Sequence, residues 1–287
     1  MIVITGASGQ LGRLVIESLL QKVPASRIVA AVRDPQRVAD LAARGVQVRQ
    51  ADYEQPTSLL RAFEGAERLL LISSNALGQR VAQHRAVIDA ARQAGIKLLA
   101  YTSILHADTS PLPLAAEHKE TEALIQRSGL AHVFLRNGWY TENYLASAAA
   151  AIQYGALLGS AGEGRIASAA RADYAEAAAV VLAREAAPSE ILELAGDASY
   201  TLSEFAAELA SHSARPVAYR DLPEAEYKAA LLGVGLPEGL AALLAESDVG
   251  ASKGGLFDDA HQLSQLIGRP TTSWKAQVKA AVAALRA

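Results

Sequence analysis

Three glycines near the start of the chain are spaced in a way that suits phosphate binding. They stand in Gly6-Ala7-Ser8-Gly9-Gln10-Leu11-Gly12, after a short apolar run at residues 2–4 and before an apolar pattern with helical spacing. The amide groups at a helix N-terminus lack partners within the helix and attract anions, and glycines let a pyrophosphate approach the backbone. A glycine triplet alone also suits any tight strand-to-helix turn. Because the expected strand and helix flank it on both sides, we predict dinucleotide binding.

The residue after the second predicted strand indicates which dinucleotide is preferred. An apolar run at residues 27–32 ends at Arg33, and Asp34-Pro35 then predicts the start of a helix. Proteins that prefer NAD usually place an acidic residue near this point, whereas an arginine accommodates the 2′-phosphate of NADP. A guanidinium pairs well with that phosphate. We therefore predict that Arg33 contacts NADP(H), with a solvated surface arginine as the alternative.

The fourth predicted strand ends in small polar residues that suit the rest of the cofactor. Residues 68–72 form an apolar run, and Ser73, Ser74 and Asn75 follow it. In a doubly wound sheet, ligands bind beyond the carboxyl ends of the strands where the strand order reverses, here between the first and fourth strands. These side chains then suit the ribose or the nicotinamide, and ordinary turn chemistry is the alternative.

The sixth predicted strand, residues 131–136, runs directly into a segment rich in aromatic and amide side chains, residues 137–144. Beside the reactive end of a cofactor, such a strand tip would line a substrate pocket. Packing between two domains explains Trp139 and Tyr140 equally well.

The proton relay of many short-chain alcohol dehydrogenases is absent from the sequence. That relay uses a Tyr-x-x-x-Lys pair, and none of the nine tyrosines has a lysine four residues later. The six histidines show no ligand-like pairing, so we expect no metal site. We expect His118 and Lys119 to lie on a solvated helix face, and nothing local assigns His84 to the site. No catalytic acid is assigned.

A nicotinamide site without an acid suits a quinone as the hydride acceptor. Quinones accept hydride readily, and water can protonate the hydroquinone oxygen, so binding and orientation would supply most of the catalysis. Two alternatives stay open. One is a protein that senses NADP(H) without turning it over and binds a regulatory partner, and the other is a reductase of another carbonyl or imine compound.

The order of elements predicts the fold that positions these residues. Strands and helices alternate along the first half of the chain, which is typical of an α/β protein with a Rossmann-type doubly wound parallel sheet. The predicted strands are residues 2–4, 27–32, 45–52, 68–72, 97–103 and 131–136, with one more at 191–194. We predict an NAD(P)-binding Rossmann domain at residues 1–150, joined by a returning helix and strand near 173–195. A smaller, mostly helical substrate or lid domain is predicted at residues 151–287.

Four local expectations concern the later part of the chain. A glycine-rich stretch at residues 155–164 suggests a lid or pocket wall, and Thr201 with Glu204 has the spacing of a capping box. Asp173 is expected to cap a helix N-terminus. Residues 250–255 are expected to form a loop, because they lack the spacing of a phosphate loop.

Composition narrows the class of protein further. The sequence is 51% hydrophobic, contains no cysteine and carries a formal net charge of −3. Disulfides, thiol catalysis and cysteine metal sites are thereby excluded, and the dispersed basic residues argue against nucleic-acid binding. No apolar run approaches the roughly 18 residues of a membrane span. Because a strand begins next to Met1, we expect no leader sequence and a cytoplasmic location. The oligomeric state stays open.

Several longer strings in the sequence resemble the NmrA-like atypical short-chain dehydrogenases. The strings are Ile4-Thr5-Gly6-Ala7-Ser8-Gly9-Gln10-Leu11-Gly12, Arg33, Ser73-Ser74, Tyr101-Thr102-Ser103, Leu135-Arg136-Asn137-Gly138-Trp139-Tyr140 and Gly254-Gly255-Leu256-Phe257-Asp258-Asp259. The resemblance runs from Met1 almost to the C-terminus. It implies a Rossmann domain, a small C-terminal domain, NADPH as hydride donor and a quinone acceptor in the cleft between the domains.

The resemblance also implies which residues contact NADPH. Carried across by position, they are Gly6, Ala7, Ser8, Gly9, Gln10, Leu11, Arg33, Ser73, Ser74, Asn75, Asn137, Gly138, Trp139, Tyr140, Thr141 and Glu142. The resemblance transfers no catalytic acid. We therefore expect an NADPH-dependent quinone oxidoreductase whose small-molecule partner is a quinone.

Overall fold

The structure is a computed structural model that describes residues 1–76, 78–186 and 188–286. The chain divides into two compact units. Unit 1 comprises Met1–Ala107, Ala116–Asn137 and Ala172–Leu192, and unit 2 comprises Asp108–Ala115, Gly138–Arg171 and Glu193–Ala287. Residues 138–150, which the sequence analysis places with the Rossmann domain, belong to unit 2. The functional roles predicted for the two parts stay predictions.

The strands and helices alternate through the first half of the chain. The strands are β1 (Ile2–Ile4), β2 (Ile28–Val32), β3 (Gln47–Gln50), β4 (Arg68–Leu71), β5 (Leu98–Ile104), β6 (His132–Asn137), β7 (Ala156–Gly159), β8 (Glu190–Leu194) and β9 (Ala218–Asp221). The helices are α1 (Gln10–Leu20), α2 (Ala39–Ala43), α3 (Pro56–Phe63), α4 (Arg80–Gln93), α5 (Ala115–Ser128), α6 (Thr141–Leu145), α7 (Ala148–Tyr154), α8 (Arg171–Ala183), α9 (Leu202–Ser213), α10 (Glu224–Gly233), α11 (Glu238–Ser252), α12 (Gln262–Ile267) and α13 (Trp274–Ala284).

The main sheet has seven strands in the order β3-β2-β1-β4-β5-β6-β8. The pairings among β1 to β6 are parallel, with Val3 opposite both Val29 and Leu69. Every residue of β1, β2 and β5 is buried, as expected for parallel strands covered on both faces. The strand order reverses between β1 and β4, so the predicted Rossmann-type doubly wound fold is confirmed.

Unit 2 is mostly helical but also contains a small sheet that the sequence analysis did not predict. Strands β7 and β9 pair in parallel, with Leu157 opposite Tyr219. The glycine-rich stretch predicted as a lid or wall is therefore partly a strand. The rings of Tyr200, Phe205 and Trp274 pack together, with the Tyr200 and Trp274 centroids 4.5 Å apart, and form an aromatic core for this unit.

One local prediction in the later part of the chain is wrong, and another is correct for only part of its range. Helix α8 begins at Arg171, so Asp173 lies inside its first turn, fully buried, and does not cap it. Of the predicted loop at residues 250–255, residues 250–252 instead belong to the end of α11, whereas residues 253–255 form a turn. Leu112 packs against Gly250, where a Cβ would be only 2.8 Å from its Cγ. The predicted capping box of Thr201 and Glu204 is confirmed at the start of α9.

None of the helices within the described residues combines the length and the apolar character that crossing a bilayer requires.

Candidate cofactor-binding site

The glycine turn joins β1 to α1 and is tied to the neighbouring strand. The hydroxyl of Thr5, which is fully buried, donates to the carbonyl of Leu70 at 3.0 Å and accepts from the amide of Ile72 at 3.0 Å. Gly6 has a φ of +60°, a conformation that favours glycine, and its carbonyl accepts from the amide of Gly9 at 2.9 Å. The turn is therefore a fixed structure at the point where the strand order reverses.

Gly12 permits the first turn of α1 to pack against this loop. A Cβ at position 12 would be 2.5 Å from the carbonyl oxygen of Gly6 and 2.8 Å from the Cα of Ala7, distances that backbone atoms cannot accommodate. A Cβ at position 9 would be 3.2 Å from the same oxygen, which requires a much smaller shift. The second and third glycines of the motif thus have different structural roles.

The N-terminus of α1 fits an anionic group. Gly9 is the N-cap residue and supplies no side-chain cap, and the first turn contains no acidic residue. The amide groups there consequently face no carboxylate from the first turn of the helix itself, and the helix dipole adds positive potential. These features match the requirements of a dinucleotide pyrophosphate.

Arg33 directly follows β2 and its side chain is exposed. The neighbouring Asp34 carries a negative charge that could repel a phosphate. Its carboxylate is already engaged, because Oδ1 accepts from the amide of Gln36 at 3.0 Å. Asp34 thus caps the 3-10 turn at Pro35–Val38, as predicted. Arg33 is left at the carboxyl edge of the sheet with its guanidinium accessible.

The segment after β4, Ser73 to Asn75, is held by hydrogen bonds to side chains of β5 and α4. Its amides at Ser73 and Ser74 donate to Thr102 Oγ1 at 2.8 Å and to His84 Nε2 at 2.9 Å. The Ser74 carbonyl accepts from Arg80 Nε at 2.6 Å. Asn75 is exposed beyond this anchor.

Asn137 is the last residue of β6 and is only 6% exposed. Its side-chain oxygen Oδ1 is buried and has no hydrogen-bond partner among the residues that the structure describes. A buried acceptor without a donor is costly, so a ligand N–H or O–H would satisfy it. This observation supports the predicted contact of Asn137 with a ligand.

Residues 138–142 belong to unit 2, where several of them also support the local structure. The Glu142 carboxylate accepts from the amide of Arg171 at 2.9 and 3.1 Å and so caps α8. The Arg171 guanidinium lies 4.7 Å from the ring centroid of Tyr140. Thr141 is buried, with its hydroxyl 2.8 Å from that of Ser168. The predicted cofactor contacts of Gly138, Trp139, Tyr140, Thr141 and Glu142 stay predictions.

Three groups of predicted residues lie at the carboxyl ends of adjacent strands in unit 1. The glycine turn follows β1, Arg33 follows β2 and Ser73 to Asn75 follow β4, and these strands are neighbours in the sheet. Sequence reasoning did not find His84, Arg80 and Thr102, which hold the third group. The spacing of Arg80 and His84, four residues apart on one helix face, was the only signal available.

The expectation of a solvated helix face holds for Lys119 but is wrong for His118. Lys119 is exposed, whereas His118 is 4% exposed and its Nδ1 lies 2.7 Å from the hydroxyl of Tyr101. Burial, and next the charge of Arg80, hold the pKa of His118 well below its usual value, so the ring is neutral. The same burial raises the pKa of the Tyr101 phenol, which therefore stays protonated.

In unit 2, three side chains hold the loop that follows β7. The amide of Ser160 donates to Asp248 Oδ2 at 3.0 Å, that of Ala161 to the hydroxyl of Tyr219 at 2.9 Å, and that of Gly162 to Asp221 Oδ1 at 2.9 Å. Asp248 is 3% exposed, and burial raises the pKa of its carboxyl to about 6. Because three consecutive amides donate to side chains, the backbone of the loop at residues 160–162 is held in one conformation.

We expect Asp248→Asn to change how stability depends on pH. Because the pKa of Asp248 is raised in the folded protein to about 6 from an ordinary 3.8, the folded state binds more protons between these values, and stability falls as the pH rises through this window. In the wild type the hydroxyl of Tyr144 donates to Asp248 Oδ1 at 2.9 Å. The asparagine does not titrate, yet its Oδ1 can accept from the amide of Ser160 and its Nδ2 can donate to the hydroxyl of Tyr144.

Chemical denaturation of both proteins between about pH 4 and pH 7 measures this effect. The free energy of unfolding of the variant, minus that of the wild type, should increase from the lower to the higher pH and then level off. A difference that is constant across the range would contradict the assignment of the buried titration to Asp248.

The fold and the turn together define a Rossmann-type dinucleotide-binding protein, and comparisons with known proteins agree. A family profile described as NAD(P)H-binding matches residues 6–185. The chain belongs to this NAD(P)H-binding family, and its resemblance to the NmrA-like atypical short-chain dehydrogenases is confirmed.

Individual relatives match almost the whole chain. Quinone oxidoreductase 2 of Escherichia coli (strain K12) is 59% identical over 95% of this chain and 96% of that protein. The crystal structure of an NADPH-dependent quinone oxidoreductase from Escherichia coli complexed with NADPH matches with a TM-score of 0.95 at 57% identity, over 100% of both chains. The Citrobacter sp. triphenylmethane reductase complexed with NADP(H) matches with a TM-score of 0.94 at 38% identity, over 98% of this chain and 100% of that one.

Proposed function

We propose that this chain is an NADPH-dependent quinone oxidoreductase, which transfers a hydride from NADPH to a quinone. The observation that carries the proposal is the 59% identity to Escherichia coli quinone oxidoreductase 2 over nearly the full length of both chains. The glycine turn, the exposed Arg33 and the anchored segment after β4 support it, because each suits a different part of NADPH.

In this proposal the residues of the site bind and orient. The amides at the N-terminus of α1 hold the pyrophosphate, and the guanidinium of Arg33 pairs with the 2′-phosphate. Ser73 to Asn75 and Asn137 contact the ribose and the nicotinamide. When bound, NADPH supplies the hydride, and water supplies the proton that the reduced quinone takes up. Orientation of two reactants is sufficient for large rate increases without an acid from the protein.

A second class of acceptor is supported by one specific observation. The triphenylmethane reductase of Citrobacter sp. is 38% identical over 98% of this chain. A cationic triphenylmethane dye has a central carbon that accepts hydride and needs no proton to do so. We propose that such dyes are also acceptors at the same site.

Steady-state oxidation of NADPH tests the proposal. Loss of the near-ultraviolet absorbance of NADPH is followed with benzoquinone, with and without protein, and in parallel with NADH and with a triphenylmethane dye. Acceleration that saturates with quinone and is stronger for NADPH than for NADH is the expected result. Tight binding of NADPH without acceleration for any acceptor would instead identify an NADP(H) sensor.

A further inference from the structure

Helix α4 contributes two buried side chains to a single residue of the loop that follows β4. His84 is 0% exposed and Arg80 is 5% exposed. His84 Nε2 lies 2.9 Å from the amide nitrogen of Ser74, and Arg80 Nε lies 2.6 Å from the carbonyl oxygen of the same residue. Both backbone groups of Ser74 are thus bound from one helix face, by residues four positions apart.

The hydrogen bonds around His84 determine its tautomer. A backbone N–H can only donate, so Nε2 must accept from Ser74 and carries no proton. Nδ1 therefore carries the proton and donates to the Thr121 hydroxyl at 3.0 Å, and that hydroxyl donates to the carbonyl of Glu117 at 2.8 Å. The chain of bonds runs in one direction, from the loop through the imidazole into α5.

The charge state of His84 is fixed as well. Burial, and next the charge of Arg80, lower the pKa of His84 to about 3. The imidazole is neutral at any pH at which the protein is assayed, and Nε2 stays available as an acceptor. The Arg80 guanidinium is itself paired with Glu117 at 3.2 Å, so the buried charge is compensated.

We propose that His84 is a positioning residue for NADPH, which holds Ser73 to Asn75 in the conformation that receives the cofactor. The inference rests on the proposed function and on the predicted contact of this segment with NADPH. A helix that only needed to pack against β4 would use apolar side chains here. Instead, buried polar groups of α4 are directed at the backbone of the segment that leads from β4 into the site.

Two amide substitutions separate the two nitrogens of the ring. In His84→Asn, the amide reaches the position of Nδ1, retains the donation to Thr121 and loses the acceptor for Ser74. In His84→Gln, the amide reaches the position of Nε2 and retains that acceptor. Both variants remove the ring, but asparagine is one methylene shorter and leaves the larger gap, so the melting temperature of each variant is measured beside its affinity.

The affinity for NADPH is measured by fluorescence titration, and the KM for NADPH and for benzoquinone by steady-state kinetics. We expect His84→Asn to raise the Kd and the KM for NADPH by about 5- to 10-fold, as the loss of one buried hydrogen bond would, and to leave the KM for benzoquinone unchanged. For His84→Gln we expect a Kd within about twofold of wild type at a similar melting temperature.

Equal losses of affinity in both variants, or no loss in His84→Asn, would overturn the proposal, since His84 would then act through packing alone or not at all. If His84→Asn does not fold, Thr121→Val serves as the second variant, because it leaves the imidazole in place and removes the hydroxyl that accepts from Nδ1. We then expect a smaller increase in the NADPH Kd of about 2- to 3-fold, and no increase would count against the proposal. A wild-type protein that binds NADPH but reduces no quinone would refute the proposed function alone, since the affinity comparison would still decide the role of His84.

Discussion

Gly12→Ala is expected to weaken NADPH binding by about 5- to 150-fold, because overpacking of the turn costs about 1–3 kcal/mol and displaces the amides that hold the pyrophosphate. The new Cβ would lie 2.5 Å from the carbonyl oxygen of Gly6 and 2.8 Å from the Cα of Ala7, and neither is the end of a flexible side chain. The first turn of α1 must therefore move away from the loop. Fluorescence titration with NADPH measures the loss, and thermal denaturation measures the accompanying destabilisation.

Two control variants separate damage to the site from damage to the fold. Leu19→Ala opens a cavity under the same helix, where Leu19 is 0% exposed, and should reduce stability by about 2–5 kcal/mol with little change in NADPH affinity per folded molecule. Gly9→Ala needs only a small shift, since its Cβ would lie 3.2 Å from the Gly6 oxygen, and should fold normally. A Gly12→Ala protein that folds and binds NADPH as tightly as wild type would place the cofactor elsewhere.

Arg33→Ala is expected to weaken NADPH binding by about 1.5–3 kcal/mol, the range for hydrogen bonds to charged groups, and barely to change NADH binding. The physical reason is that the two cofactors differ only in the 2′-phosphate, which the exposed guanidinium after β2 is placed to meet. The ratio of kcat/KM for NADPH to that for NADH measures the effect directly, because any general damage to the protein cancels.

Arg27→Ala is the matched control for this substitution. Arg27 is also an exposed arginine, and it immediately precedes β2 at the opposite end of the strand from Arg33. Its removal changes the net charge equally and should leave the NADPH to NADH ratio unaltered. Equal losses for both cofactors in Arg33→Ala would remove Arg33 from the phosphate-binding role.

Much of unit 1 follows from local patterns in the sequence. Short apolar runs predicted β1, β2 and β4 to within a residue or so, because strands buried on both faces are continuously apolar. The Asp34-Pro35 pair predicted the capped turn after β2, since both residues act on their own neighbours. Each of these features is determined by residues that are close together in the chain.

The parts that could not be predicted depend on contacts between distant residues. Strands β7 and β9 are four residues each and pair across about sixty positions, so neither carries a local pattern that identifies it. His118 and Lys119 are adjacent in sequence, yet only His118 is directed at Tyr101. The role of His84 in the candidate site could not be predicted for the same reason, because it depends on Ser74 and Thr121, which lie on other elements.

The most direct test of the central claim is a single-turnover measurement without oxygen. NADPH is bound to a molar excess of protein, the complex is mixed rapidly with excess benzoquinone, and the near-ultraviolet absorbance of the bound NADPH is followed. We expect a single exponential whose rate saturates with quinone, far exceeds that of free NADPH with quinone, and is lost in Gly12→Ala. A rate for the bound NADPH that equals or falls below the rate for free NADPH would contradict it, because the site would then bind the cofactor without directing hydride to a quinone.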